Sequence, residues 1–201
     1  HTSKDKQTLL FSATISKNVN HIFKKHLKNP IVVKSSEHLD TTVLKHSYYN
    51  VEYYEKFSLL VHLLKKETPG LALVFCATRR EVELLTRNLR KQGIRAMAIH
   101  GGLTQNRRQN ALDQLKREDI KVLAATDVAA RGLDLQNISH VYNYDVPKTS
   151  EEYIHRIGRT ARAGEKGEAI TLLIQKDYDN FDNVLSNKSL EIHREQPPKF
   201  D

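Results

Sequence analysis

A doubly wound α/β fold, with a mainly parallel sheet and helices on both faces, is what this sequence predicts. Two observations predict it. Short β-rich apolar runs alternate with stretches of helical periodicity along most of the chain. Several of those runs are apolar on consecutive residues, as in "LALVF" at 71–75, which marks strands covered on both faces rather than one.

The elements follow in order. "QTLLFSAT" predicts a strand, then a helical stretch to about Lys28, then a linker in "IVVKSSEHLDTT". After "LALVF" a helix is predicted from about Arg80 to Lys91, because Val82, Leu85 and Leu89 recur at i, i+3 and i+7. "IRAMAIH" is the next strand, and the helix after it has Ala111, Leu112 and Leu115 as its apolar positions. "KVLAAT", a short turn and "HVYNYD" lead to a helix around "SEEYIHRIG". "GEAITLLI" and a helix near "YDNFDNVLS" close the array, and the polar tail "REQPPKFD" is expected to be extended. The boundaries read as 1–34, a linker at 35–44, a main domain at 45–186 and a tail at 187–201.

Composition limits the partners. With 201 residues, 39% of them hydrophobic, the chain can bury a core. Lys and Arg total 32 against 24 Asp and Glu, a formal net charge of +8 that suits a polyanion. Nucleic acid is favoured over a membrane surface, since no basic amphipathic anchor and no apolar run near the roughly 18 residues of a span is present. The one cysteine, Cys76, sits in "LALVFCA" without a partner, so a reducing, cytoplasmic setting is expected. None of the ten histidines falls at zinc spacing, so no metal site is expected from this chain alone.

In doubly wound sheets ligands collect outside the carboxyl ends of the strands. Thr78 follows "LALVFCA", and Gly101 and Gly102 follow "AMAIH", where backbone N–H groups can meet a phosphate. "TQNRRQ" opens the next helix with Thr104 as N-cap and Arg108 in its first turns. After "KVLAA" come Thr126, suited to a phosphate, and Asp127, suited to cap a short helix. That helix would end at Gly132, with Arg131 and Asp134 beside it and Asp134 suited to a ribose. Few aromatic side chains lie nearby to stack on bases, which favours contact with a sugar-phosphate backbone.

"YIHRIGRTARAG", 153–164, gathers arginines and a histidine among isoleucines. Continued as a helix, it would place His155, Arg159 and Arg162 within about 60° of one another, with Ile154, Ile157 and Ala161 on the far side and Gly158 inside. Like charges at i, i+4 cost roughly 0.2–0.5 kcal/mol per pair, so a compensating anion is one reading of the strip; a solvated basic face is the other.

Together, "LLFSAT", "LVFCAT", "HGGLTQNRRQNAL", "ATDVAARGLDL" and "YIHRIGRTARAG" resemble, in order and spacing, the DEAD-box RNA helicases of superfamily 2, from Gln7 to about Ile174. The resemblance implies the second of two RecA-like domains, with ATP and RNA bound across the cleft between them. It implies that Arg159 and Arg162 act as arginine fingers on the γ-phosphate and that His155 helps couple the domains. Asp134 would contact the ATP ribose with Gly132 beside it, and Arg131, also at the nucleotide, would take part in interdomain polar contacts. Thr78, Gly101, Arg108 and Thr126 would hold RNA phosphates. Ser12 and Thr14 match the Ser-Ala-Thr motif that links hydrolysis to strand separation. Ala161 departs from a glycine common in the family and leaves both finger positions intact. "HSYYNVEYYEKFSLLVHLLKK" is similar to bacterial members acting in ribosome assembly.

No G-x-x-x-x-G-K-[ST] and no Asp-Glu-Ala-Asp occurs, so the phosphate-cradling lysine and the Mg²⁺-binding carboxylates are expected from a first helicase domain. The resemblance therefore implies the carboxyl-terminal half of an ATP-dependent RNA helicase, inactive alone. A DNA-directed translocase of the same superfamily and a non-catalytic RNA-binding module are the alternatives. Residues 1–34 would be the end of that first domain, and "TLLF", left without its sheet, is expected to pack back on the main domain or to self-associate.

Overall fold

The computed structural model describes residues 6–11, 17–33, 44–66, 68, 70–131, 133, 135, 137–160 and 166–199. The chain divides into two compact units, 1–38 and 39–201.

In the first unit the described residues contain one helix, α1 (Lys17–His26), with Lys24, Lys25 and His26 in its last turn, where cations suit the helix dipole. The strand predicted over "QTLLFSAT" does not form over the described residues 6–11. A lone strand leaves its N–H and C=O groups unpaired, and no described neighbour in this unit supplies a ladder. Leu9 and Phe11 are exposed, as are Ile31 and Val33.

The second unit holds β1 (Leu44–Asn50), α2 (Lys56–Lys66), β2 (Leu71–Phe75), α3 (Arg79–Lys91), β3 (Ala96–Ile99), α4 (Gln105–Lys116) and β4 (Val122–Ala125). There follow α5 (Asp127–Ala130), β5 (Ile138–Asn143), α6 (Ser150–Ile157), β6 (Gly167–Leu173), α7 (Tyr178–Leu185) and β7 (His193–Glu195). The strands form one sheet in the order β3-β4-β2-β5-β6-β1-β7. Every pairing is parallel, as the consecutive apolar runs require of strands covered on both sides.

Alternate residues along each strand send side chains to opposite faces. Val74, Val122 and Leu172 pack with Leu59, Leu63, Val82 and Leu89 of α2 and α3. On the other face Phe75, Leu123 and Val141 pack with Ala111 and Leu115 of α4, while Ala169 and Leu173 meet Tyr153 and Ile157 of α6 and Phe181 of α7. The predicted class is the observed one.

Two strands had no counterpart in the sequence reading. β1, "LKHSYYN", is polar, yet it lies between β6 and β7. β7 lies within the polar tail and pairs with β1 at the sheet edge.

Candidate nucleotide- and RNA-facing edge

Phe75, Ala125 and Ile99, the last residues of β2, β4 and β3, stand in register, so the chain leaves three adjacent strands at one edge. Thr78, Thr126 and Gly101 are the residues that leave there. Thr78 caps α3 with a complete capping box: its hydroxyl donates to Glu81 Oε2 at 2.8 Å and accepts from the Glu81 N–H at 3.1 Å. Thr126 is half-buried and sits at the N-cap of α5, but its hydroxyl makes no capping bond and stays available.

Gly101 is exposed, and a Cβ there would lie 3.2 Å from Arg79 Nη2, so the bare backbone keeps this approach open. Beside it, the Gly102 N–H donates to His100 Nδ1 at 3.1 Å, which leaves the proton on Nε2 to face Glu83 Oε1 at 2.7 Å. Arg108, half-buried on α4, donates to the Ala129 carbonyl at 3.1 Å and ties α4 to α5.

The helix of "YIHRIG" is shorter than the sequence suggested. α6 stops at Ile157, Gly158 is its C-cap and donates to the Ile154 carbonyl, and Arg159 lies in the turn beyond. The Thr160 hydroxyl, donating to the Ile138 and Ser139 carbonyls, draws the chain onto the sheet and prevents another helical turn. His155 and Arg159 thus do not share one helical face. Arg159 instead reaches the loop after α5, its Nη1 donating to the Leu133 carbonyl at 3.1 Å.

His155 is brought to the same place. Burial first, then the charges of Arg131 and Arg159, hold its imidazole below the ordinary range against the weaker opposing pull of Glu151 and Asp127. Its Nε2 is buried with no hydrogen-bond partner among the described residues. Arg131 is exposed at the end of α5. Guanidinium groups gathered around a neutral histidine suit an anion, because the guanidinium forks donate in the geometry phosphate oxygens accept. Ser12, Thr14, Gly132, Asp134 and Arg162 lie outside the described residues.

Arg156, which the sequence reading passed over, is one of two enclosed cations of this edge. It is 3% exposed, grips Asp127 in a fork at 2.7 and 2.8 Å, donates to Asn143 Oδ1 at 3.1 Å and to the Asp145 carbonyl, and lies over the Phe75 ring. The burial stripe of α6 is Tyr153, Arg156 and Ile157, with Ile154 only half-buried. Asp127, expected as a cap, is therefore the first helical residue and the partner of Arg156. A signal was present: Arg156 stands at i+3 from Tyr153, in the apolar stripe.

Lys56, 2% exposed, stands at the same kind of position in the stripe Lys56, Leu59, Leu60, Leu63 of α2. It lies 3.7 Å from Asp145 Oδ1 and 3.5 Å from Asp177 Oδ2, against the face of Tyr144. Asp145 also accepts the Ala77 N–H at 2.9 Å, so the loop carrying Thr78 is pinned to the loop after β5. Cys76 is fully enclosed, and burial with the nearby Asp145 charge pushes its thiol up, away from reactivity.

Residues 55–164, more than half of the chain, match the family described as the helicase conserved C-terminal domain. The chain belongs to this family. Within it the chain stands with the DEAD-box proteins. It is 38% identical, over its full length, to a DEAD-box ATP-dependent RNA helicase CshA of Geobacillus kaustophilus, and 41% identical over 97% of its length to that of Bacillus licheniformis. The chain spans only 43% and 40% of those two proteins.

Among solved structures, Saccharomyces cerevisiae Dbp5 bound to RNA and ADP BeF3 superposes with a TM-score of 0.84 at 31% identity, covering 97% of this chain and 52% of that one. Escherichia coli SrmB, solved with the regulator of ribonuclease activity A, gives 0.71 at 39% identity over 76% of this chain and 90% of that one. The sheet described above is the RecA-like sheet of a DEAD-box second helicase domain.

Proposed function

We propose that this chain serves as the carboxyl-terminal half of a cytoplasmic ATP-dependent RNA helicase, supplying arginine fingers and part of the RNA surface for local duplex separation. One observation carries the reading: Thr78, Gly101 and Thr126 leave three adjacent parallel strands at one edge, with Arg131, His155 and Arg159 gathered on the neighbouring turns. The first set offers small polar and backbone donors at the spacing of successive strands, which suits a phosphate backbone. The second offers cations to a nucleotide's terminal phosphates.

ATP would be held here by Arg159, with Arg162, Asp134 and Arg131 as further candidates from the motifs they match. The described carboxylates nearest this edge do not fit a Mg²⁺ ion, because Asp127 is taken by Arg156, and Asp145 and Asp177 by Lys56. Its ligands belong to the domain that carries a P-loop. The exposed Leu9, Phe11, Ile31 and Val33 are consistent with a segment that belongs against that domain and that, in its absence, would self-associate.

The test is ATP hydrolysis, with and without single-stranded RNA, by this chain joined to a P-loop helicase domain. Arg159→Ala and Arg162→Ala should each lower RNA-stimulated turnover by about 10³-fold or more, while RNA binding changes little. Near-normal hydrolysis in both variants would remove the finger assignment. Equal stimulation by matched DNA would favour the DNA translocase instead, since only RNA offers 2′-hydroxyls.

A further inference from the structure

At the amino-terminal ends of β1, β5 and β6, the sheet edge opposite the one described above, lies a cavity of about 840 Å³ walled by the segment 188–193. His46, 4% exposed, lines it. Its Nε2 is buried and has no partner among the described residues. His46, Thr171 and Asn143 point to the face of the sheet covered by α6, and a hydrogen-bonded series joins them through the core.

The series has a direction. The Arg156 guanidinium can only donate, so Asn143 turns Oδ1 toward it and offers Nδ2 to Thr171 Oγ1 at 3.1 Å. Thr171 stands beside the Tyr153 oxygen, where its hydroxyl works against the burial that raises the phenol's pKa. The Tyr153 hydroxyl lies 3.2 Å from His46 Nδ1, within reach to donate to it. With the Tyr153 hydroxyl donating to Nδ1, the neutral His46 ring carries its proton on the buried Nε2, beside the cavity that the residue lines. Donors aligned head to tail polarise one another, and this series starts from a full positive charge.

The rest of the lining sets the ligand's charge. Lys45, Lys166 and Lys188 line the cavity against Glu168 and Glu191. Glu168 faces His140 at 3.6 Å and Lys45 is drawn 3.5 Å from Glu195, whereas no ion pair among the described residues engages the exposed Lys166, Lys188 or Glu191, two cations against one carboxylate. Two ammonium groups and one buried, pre-oriented N–H make a donor set for a compact polyoxygen anion. We propose that this cavity binds a small phosphorylated molecule, held by Lys166 and Lys188 and oriented by the Nε2–H of His46.

The experiment titrates the full 201-residue chain with inorganic pyrophosphate and, separately, with glycerol phosphate, and follows the histidine ring resonances by NMR at low salt. Saturable movement of the His46 ring signals in the millimolar range or below is expected. Pyrophosphate binding more tightly would point to an inorganic phosphate source, and glycerol phosphate binding more tightly to an organic one. The double variant Lys166→Ala, Lys188→Ala changes only exposed side chains and should weaken binding at least ten-fold. His46→Phe should weaken it similarly, whereas His46→Gln, which keeps a donor, should retain most of it. Two results would overturn the proposal: no saturable movement of His46, or affinities unchanged in the lysine double variant because the anion sits on Arg131 and Arg159.

Discussion

The two ends of the strands handle buried polar groups in opposite ways. At the carboxyl edge Arg156 and Lys56 are enclosed as full charges, and each is closed by carboxylates: Asp127 for the first, Asp145 and Asp177 for the second. At the amino edge the enclosed group is His46, which burial and the facing His193 favour as the neutral form. An enclosed charge without its counter-ion is strongly destabilising, whereas a neutral imidazole can leave one N–H unused at modest cost. The carboxyl edge therefore spends its buried charges on architecture, fixing the loops that present Thr78, Thr126 and Arg159. The amino edge keeps a donor in reserve. Asn143, Thr171 and Tyr153 run between them, so each edge can be perturbed with the other as its control.

The largest effect should come from breaking the closed pair. Asp127→Asn leaves the guanidinium of Arg156, which is 3% exposed, without its counter-charge, and should cost about 3 to 5 kcal/mol in urea unfolding. RNA-stimulated hydrolysis in the joined protein should fall with it even at temperatures where the variant stays folded, since α5 and Thr126 lose their anchor. A loss under about 1 kcal/mol would mean that the pair is solvated and that the carboxyl edge is not locked in the way its geometry shows.

Much of this contrast was legible beforehand, and the omissions have physical causes. The runs 71–75, 122–125 and 167–173 read as strands because both of their faces are buried, and buried parallel strands are apolar throughout. β1 escaped because its inward positions include His46 and Ser47, both buried, whose polarity is satisfied or tolerated only through tertiary contacts. β7, three residues long, has no periodicity to show. Thr78, Gly101 and Thr126 were singled out from their place after strands, and the strand register sets them at one sheet edge. The basic helix was over-extended because periodicity cannot see that the Thr160 hydroxyl ties the chain to β5. Arg156 was passed over although its stripe position marked it as core. Charge on a helix was read as exposure, and here the partner that permits burial lies 29 residues away at Asp127.

An intermediate effect is expected where the two edges are joined. Thr171→Val keeps the volume, removes the acceptor of Asn143 Nδ2 and leaves that group unsatisfied at a fully buried site. About 1 to 3 kcal/mol should be lost, with ATP hydrolysis in the joined protein nearly unchanged because Arg156 keeps Asp127. The Tyr153 oxygen also loses the Thr171 hydroxyl beside it, so the His46 ring nitrogen shifts should report a mixture of tautomers. Unmoved ring shifts in a destabilised variant would show that Thr171 serves packing alone and that the series does not reach His46.

The smallest effect concerns protons. Burial and His193 lower the His46 pKa below its ordinary 6.5, so the folded state binds its proton less readily than the unfolded chain does. The associated stability is complete above about pH 6.5 and is lost as pH falls through the folded value. His155, lowered by burial with Arg131 and Arg159, contributes in the same direction. His46→Gln should therefore reduce, without abolishing, the stability lost between pH 7.5 and 5.5 in urea unfolding, and His46→Gln with His155→Gln should reduce it further. The change from His46 alone is kept small because the group lines a cavity, and protonation there can recruit water. If His46→Gln left the acid dependence identical, the ring would already be as easily charged in the folded chain as in the unfolded one. The amino edge would then resemble the carboxyl edge, holding a cation rather than a neutral donor.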